Sequence, residues 1–195
     1  MLDDWSVKER EKYDRMWDVA KYRVHSPALR RLSHVKEVLE TYECASVMDF
    51  GCGTGKAALA LKNAGYTVLA IDISDKALDP EPREKLHFAQ RSLWDMSLPP
   101  MDWGICHDVM EHIPEEMVSK TLETISRHCK KGATFSIACF QDGFGRYIGE
   151  TLHLTVKEPE WWKAQLAEHF GSEISSKFDG RRCLHIDVKA RGTWT

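Results

Sequence analysis

The segment Asp49-Phe50-Gly51-Cys52-Gly53-Thr54-Gly55 places three glycines at alternate positions between an apolar run and a helix-prone one. Glycine opens backbone conformations closed to other residues, and without a Cβ it lets a ligand lie directly against the chain. Such a loop suits a cofactor that carries a nucleoside, and three kinds compete. A dinucleotide fingerprint needs G-x-G-x-x-G, but Lys56 stands three places beyond Gly53. A phosphate loop needs G-x-x-x-x-G-K-[ST]; here Phe50 stands five places before Gly55, and Ala57 after Lys56 offers no hydroxyl for magnesium. S-adenosylmethionine is the third. Asp72 ends the next apolar run, where a carboxylate accepts bonds from two ribose hydroxyls, a feature shared by nucleoside cofactors generally.

These residues must be held by strand ends and helix starts. Residues 46–50 are strand-like and stop at Gly51, and residues 55–62 are helix-prone up to Gly65. Residues 67–71 form the second apolar run, and 85–90 a weaker third strand after a connection carrying Pro80 and Pro82. A fourth strand is expected over 103–107. Pro114 then opens a helix with Glu115 and Glu116 in its first turn, a stripe of Val118, Leu122, Ile125 and Cys129, and Gly132 beyond its end. Residues 134–140 predict a fifth strand and 159–170 a helix; 174–178 and 183–189 predict two strands joined through Asp179-Gly180, a hairpin signal. Ahead of the first strand, residues 5–22 and 27–42 predict helices. The alternation argues for an α/β fold, a three-layer sandwich around a mostly parallel sheet closed by a C-terminal antiparallel hairpin. Such sheets bind ligands at the C-terminal ends of their strands.

At 195 residues the chain has the length of one domain with a substantial core, not of two. Lys and Arg number 27 against 30 Asp and Glu, so no uniform positive field exists to hold a phosphate backbone, and a nucleic-acid partner is disfavoured. Met1-Leu2-Asp3-Asp4 lacks the basic stretch and apolar run of a signal peptide. No apolar window approaches the roughly 20 residues that span a bilayer, so the expectation is a cytoplasmic protein without a membrane partner. The six cysteines are never spaced C-x-x-C and several lie in apolar runs, which predicts reduced thiols and neither a disulfide framework nor a zinc site.

Three segments, in order, resemble the class I S-adenosylmethionine-dependent methyltransferases. Residues 47–55 resemble the family's first motif, and Ala70-Ile71-Asp72-Ile73-Ser74 its ribose-binding strand end. Asp108-Val109-Met110-Glu111-His112-Ile113-Pro114 resembles the segment after its fourth strand. The resemblance covers residues 45–190 and implies a seven-stranded Rossmann-like sheet, S-adenosyl-L-methionine as cofactor and S-adenosyl-L-homocysteine as product. It implies that Gly51, Gly53 and Gly55 approach the methionine part, and that Asp49 orients the loop or meets the ammonium group. Asp72 would hold the ribose and Ile73 would pack on adenine. Ser92 stands where the family often places an Asp for the adenine amino group, which leaves Ser92, Leu93 and Trp94 as candidates there. Asp108 is a further cofactor-side candidate.

Methyl transfer needs a nucleophile held in line and a site that excludes water, so positioning supplies much of the acceleration without a metal, and none is expected. An alcohol or ammonium acceptor also loses a proton, for which histidine is the natural base near neutral pH. His107, Asp108, Glu111 and His112 gather after the fourth strand, with His25 and His153 as alternatives; Glu111 and His112 equally suit a structural role on the local backbone. Residues 141–158, with their glycines, aromatic residues and Arg146, read as a lid or specificity insertion, whereas Trp161 and Trp162 read as packing. Residues 1–44 form a helical cap in which Tyr13, Trp17, Tyr22 and Arg23 either close over the cofactor or attach the cap to the sheet. The expectation is one methyltransferase domain over 1–195 acting on an oxygen or nitrogen of a small polar acceptor. The alternatives are a protein or tRNA acceptor and a non-catalytic S-adenosylmethionine-binding subunit. No residue pattern specifies an oligomeric state.

Overall fold

The computed structural model describes residues 4–24 and 26–192. Seven strands, β1 (Ser46–Phe50), β2 (Thr67–Asp72), β3 (His87–Gln90), β4 (Met101–His107), β5 (Cys129–Ala138), β6 (Glu173–Phe178) and β7 (Cys183–Lys189), form one sheet in the order β3-β2-β1-β4-β5-β7-β6. The first five run parallel, and β7 is antiparallel to both β5 and β6. Among the described residues eight α-helices accompany it: α1 (Asp4–Met16), α2 (Ala20–Arg23), α3 (Pro27–Arg30), α4 (Leu32–Thr41), α5 (Lys56–Asn63), α6 (Pro80–Lys85), α7 (Glu115–Arg127) and α8 (Pro159–His169).

Alternation along the central strands divides the core into two layers. On one face Val47, Val68, Ala70 and Ile105 meet Val35, Val38 and Leu39 of α4 and Leu61 of α5. On the other, Met48, Phe50, Ile71 and Phe135 meet Val118, Leu122 and Ile125 of α7 and Trp162 and Leu166 of α8. The three- and four-residue spacing of these helix positions is the stripe that faces a sheet. A smaller cluster docks the N-terminal segment, where Tyr13, Met16 and Trp17 pack with Ala77 and Leu152. The antiparallel end is tied by polar bonds to the buried Asp187: it accepts from the buried Thr134 Oγ1 (2.7 Å) and from Ser175 Oγ (2.6 Å) nearer the surface, and Trp103 Nε1–H donates to Thr134 Oγ1 (3.0 Å).

The strand order reverses between β1 and β4. From β1 the chain works outward through β2 and β3, then returns to lay β4 on the other side. Loops leaving β1 and β4 therefore diverge at the C-terminal edge and leave a crevice, the place where open α/β sheets bind ligands.

Several boundaries differ from expectation, each for a tertiary reason. The helix expected to run past Cys129 ends at Arg127, and Cys129 already belongs to β5, which stops at Ala138. Gly132 is a strand residue, not a helix stop: a Cβ there would run into the Val188 carbonyl and stand 2.6 Å from the Trp103 ring. The Pro80/Pro82 connection is the short helix α6. The helix expected over 5–22 ends at Met16, with α2 a separate turn, and the one expected over 27–42 is broken at Arg31. In the β6–β7 hairpin it is Arg182, at φ 61°, that takes the left-handed conformation. Asp179 Oδ1 closes that turn by accepting from the N–H groups of Arg181 (2.9 Å) and Cys183 (3.0 Å).

Candidate active site

Gly51, Gly53 and Gly55 all have left-handed φ angles, 72°, 53° and 76°. A Cβ at Gly51 would run into the Val109 side chain, and one at Gly53 would stand 3.1 Å from Trp17 Cη2. Asp72 fastens the loop to the end of β2: its Oδ2 accepts from Gly53 N–H (2.9 Å) and its Oδ1 from Ser74 N–H (3.0 Å), leaving each oxygen a second lone pair. Burial pushes the Asp72 carboxyl up to about 6, against the pull of these backbone bonds. Asp49 at the end of β1 is 2% exposed, its Oδ2 has no hydrogen-bond partner, and burial followed by the Asp72 charge raises it to about 7.

Across the crevice, Asp108 follows β4 at φ 54°, a conformation unfavourable to a residue with a Cβ. Its N–H donates to the Ser136 carbonyl (2.7 Å), and Ser136 Oγ donates to its Oδ1 (3.1 Å). The single 3-10 turn Met110–His112 then separates two adjacent side chains. Glu111 turns into the core, where its Oε1 accepts from Ala138 N–H (3.2 Å) and its Oε2 has no partner. Burial, with the Asp108 charge second, holds its carboxyl well above the usual range.

His112 turns into the crevice instead. Its Nδ1 lies 3.0 Å from the Leu152 carbonyl, and His153 Nδ1 lies 2.6 Å from the Phe140 carbonyl. A carbonyl only accepts, so both rings carry their proton on Nδ1 and a lone pair on Nε2. The two rings meet edge to face at 4.7 Å. Burial lowers the basicity of both, and it drives His107, whose ring nitrogens have no partner, down to about 3.

One cavity of about 380 Å³ joins the two sides of the crevice, within the usual range for small-ligand sites. Asp49, Gly51, Gly53, Asp72, Ile73 and Leu93 line one part of it; His107, Asp108, His112 and His153 line another. Gly55, Ser92 and Glu111 are not in its wall. Gly55 is the left-handed N-cap of α5, and Ser92 Oγ is bonded to Ser6 Oγ at 2.8 Å. Trp162 packs in the core and the half-buried Trp161 against it, as expected, and His25 lies outside the described residues.

The N-terminal segment both attaches and covers. Tyr13, Trp17 and Tyr22 line the cavity, while Arg23 donates to the Ala77 carbonyl (2.9 Å) and to Asp79 Oδ1 (2.7 Å) and clamps the segment to the loop after β2. Phe140, Arg30 and Cys183 are wall residues that sequence reasoning did not reach, whereas Phe144 is one of the aromatic residues of the 141–158 segment expected there. Phe140 had a usable signal, as the first residues past a strand end on the ligand edge of a parallel sheet are wall positions by topology; Arg30 and Cys183 come from distant elements and had none.

Residues 47–132 match a family model described as a methyltransferase domain. Magnesium-protoporphyrin O-methyltransferase of Rhodobacter capsulatus is 28% identical over 99 residues, 47% of this chain and 44% of that protein. The mitochondrial ubiquinone biosynthesis O-methyltransferase of Schizosaccharomyces pombe is 27% identical over 124 residues, 56% of this chain and 45% of that one. The chain thus spans less than half the length of the curated relatives it matches. Among solved structures, the Burkholderia thailandensis 1,6-didemethyltoxoflavin-N1-methyltransferase, holding its acceptor and S-adenosylhomocysteine, superposes with a TM-score of 0.73 at 16% identity over 98% of this chain and 91% of that one. Magnesium protoporphyrin IX methyltransferase from Synechocystis PCC 6803 does so at 0.67, with 20% identity and 97% of both chains covered. Residues 47–132 thus match a methyltransferase domain, and the chain shares the seven-stranded fold of these solved methyltransferases.

Proposed function

We propose that the protein transfers a methyl group from S-adenosylmethionine to an oxygen or nitrogen of a small polar acceptor. The observation that carries this reading is the single cavity running from an unpartnered buried carboxylate and a left-handed glycine loop to two histidines with free Nε2 lone pairs. The cofactor fits the first part on its chemistry. The buried Oδ2 of Asp49 lacks a cationic or donor partner, which an amino-acid ammonium group supplies. The glycine loop is cleared of Cβ atoms, and the remaining lone pairs of Asp72 suit ribose hydroxyls. Ile73 and Leu93 offer apolar surface to a base, and Ser92, committed to Ser6, does not reach it.

When bound, S-adenosylmethionine supplies a methyl group activated by a sulfonium. The chain's own residues orient the acceptor and exclude water. Phe140, Phe144 and Tyr22 give the acceptor end aromatic walls, and His112 or His153, neutral through burial, presents Nε2 to take the acceptor's proton. The N-terminal segment and residues 141–158 close over this end together: Arg15 pairs with Glu150 at 2.5 Å, and the Tyr22 and Phe144 rings meet at 5.9 Å. Relatives named for magnesium-protoporphyrin, ubiquinone biosynthesis and didemethyltoxoflavin support a small acceptor. Labelled S-adenosylmethionine offered with a panel of hydroxylated and amino metabolites tests the reading, with transfer to at least one expected. Binding of S-adenosylhomocysteine without transfer to any acceptor would assign the chain a binding role only.

A further inference from the structure

Glu111, His112 and His153 each bring one potential ligand atom within 4.8 Å of the other two. Glu111 is wholly buried and its Oε2 has no partner, an arrangement that is costly until a cation or donor arrives. Both histidines give their Nδ1–H to main-chain carbonyls, the outer bonding that fixes tautomer and ring direction in metal-ligating imidazoles. The cluster is also braced: Thr155 N–H donates to the Glu111 carbonyl (2.9 Å) and Thr155 Oγ1 to the Ile113 carbonyl (2.7 Å), stitching the strand of chain around His153 to the turn that carries the other two.

We propose that Glu111, His112 and His153 hold a divalent transition-metal cation, zinc or one of like preference, at the acceptor end of the cavity. Two imidazoles and a carboxylate form the nitrogen and oxygen donor set that such ions take while keeping positions open for an exogenous ligand. His112 and His153 line the cavity, so the open positions face the acceptor. There a hydroxyl oxygen of a diol or phenol would bind and the cation would favour its deprotonated form, the proton leaving to water; with the cation in place the Nε2 atoms of His112 and His153 are its ligands and give up the base role they have without it. This narrows the acceptor to a hydroxyl compound. What the cation does rests on the methyltransferase reading; whether it binds does not.

The test is direct titration of full-length protein, stripped with chelator, with Co²⁺ by absorption and Zn²⁺ by calorimetry. One equivalent should bind with a ligand-field spectrum and no thiolate-to-cobalt charge-transfer band. Glu111→Gln keeps the side-chain size and the bond from Ala138, and His153→Gln removes one imidazole. Each, shown folded by circular dichroism, should weaken binding by about tenfold or more, and should one fail to fold the other decides. Absence of saturable binding to wild type, a thiolate band, or wild-type affinity in a folded variant overturns the proposal. Calorimetry with S-adenosylhomocysteine on the same samples separates the two readings: its failure while Co²⁺ binds removes the methyltransferase reading and leaves the metal site standing.

Discussion

Replacing Asp49 by Asn should weaken S-adenosylhomocysteine binding and flatten its pH dependence. Burial and the neighbouring Asp72 charge raise Asp49 to about 7, and its Oδ2 has no partner. A ligand ammonium set against that oxygen pairs with the ionised carboxylate, so binding at lower pH must first expel a proton. The free protein then carries more protons than the complex, and affinity falls as pH falls. With the carboxyl at about 7, the apparent Kd exceeds its high-pH limit about 1.1-fold at pH 8, about 2-fold at pH 7 and about 11-fold at pH 6, a loss of about 1.4 kcal/mol between pH 8 and pH 6. Asp72, at about 6, adds a further factor of about two at pH 6 if its ionised form accepts the ribose hydroxyls, for about twentyfold in all. The histidines do not enter, since burial holds His107 at about 3 and lowers His112 and His153. Calorimetry at pH 6, 7 and 8 in buffers of different ionisation enthalpy reads both the affinity and the proton release, about 0.5 per ligand at pH 7 from Asp49. In Asp49→Asn the lost charge-assisted bond costs about 1.5–3 kcal/mol at pH 8, and the decline to pH 6 shrinks to about twofold. A wild type with flat affinity, or an Asn variant that keeps the whole decline, refutes a cation on Asp49.

Gly53→Val should abolish S-adenosylhomocysteine binding, because a branched side chain at φ 53° starts 3.1 Å from Trp17 Cη2 and fills the loop's approach; Gly65→Ala, at φ 100° with nothing within 4 Å, should cost about 1 kcal/mol of stability and leave the measured affinity unchanged. Trp17→Ala should lower that affinity about tenfold by uncovering the glycine loop, whereas Trp162→Ala should cost about 3–5 kcal/mol in denaturant unfolding and leave the affinity of the folded fraction intact. Asp187→Ala leaves the buried Thr134 hydroxyl without its acceptor, while the exposed Ser175 hydroxyl turns to water, and should lower the urea midpoint by the equivalent of about 1–3 kcal/mol with an unchanged slope; a loss under about 0.5 kcal/mol would show that the network contributes little.

Features that depend on a few adjacent residues were legible in the sequence, and features imposed from across the fold were not. The strand ends at Phe50, Asp72 and His107 are local events, where an apolar run meets a glycine or an acid, and the topology of a parallel sheet sends such ends to one edge. Gly132 looks locally like a helix stop, but it is glycine because Val188 and the Trp103 ring, from two other strands, leave no room for a Cβ. Ser92 occupies a position suited to an adenine contact, and only the docking of α1 reveals that Ser6 already takes its hydroxyl. Glu111 and His112 show the limit most sharply. No helix or strand period governs a single 3-10 turn, so the sequence could place both residues at the site but not assign one to the core and the other to the cavity. That division is what joins them to His153: with Glu111 anchored behind by Ala138 and His112 in front by Leu152, the turn closes on a third donor that only the return of the chain after β5 can supply.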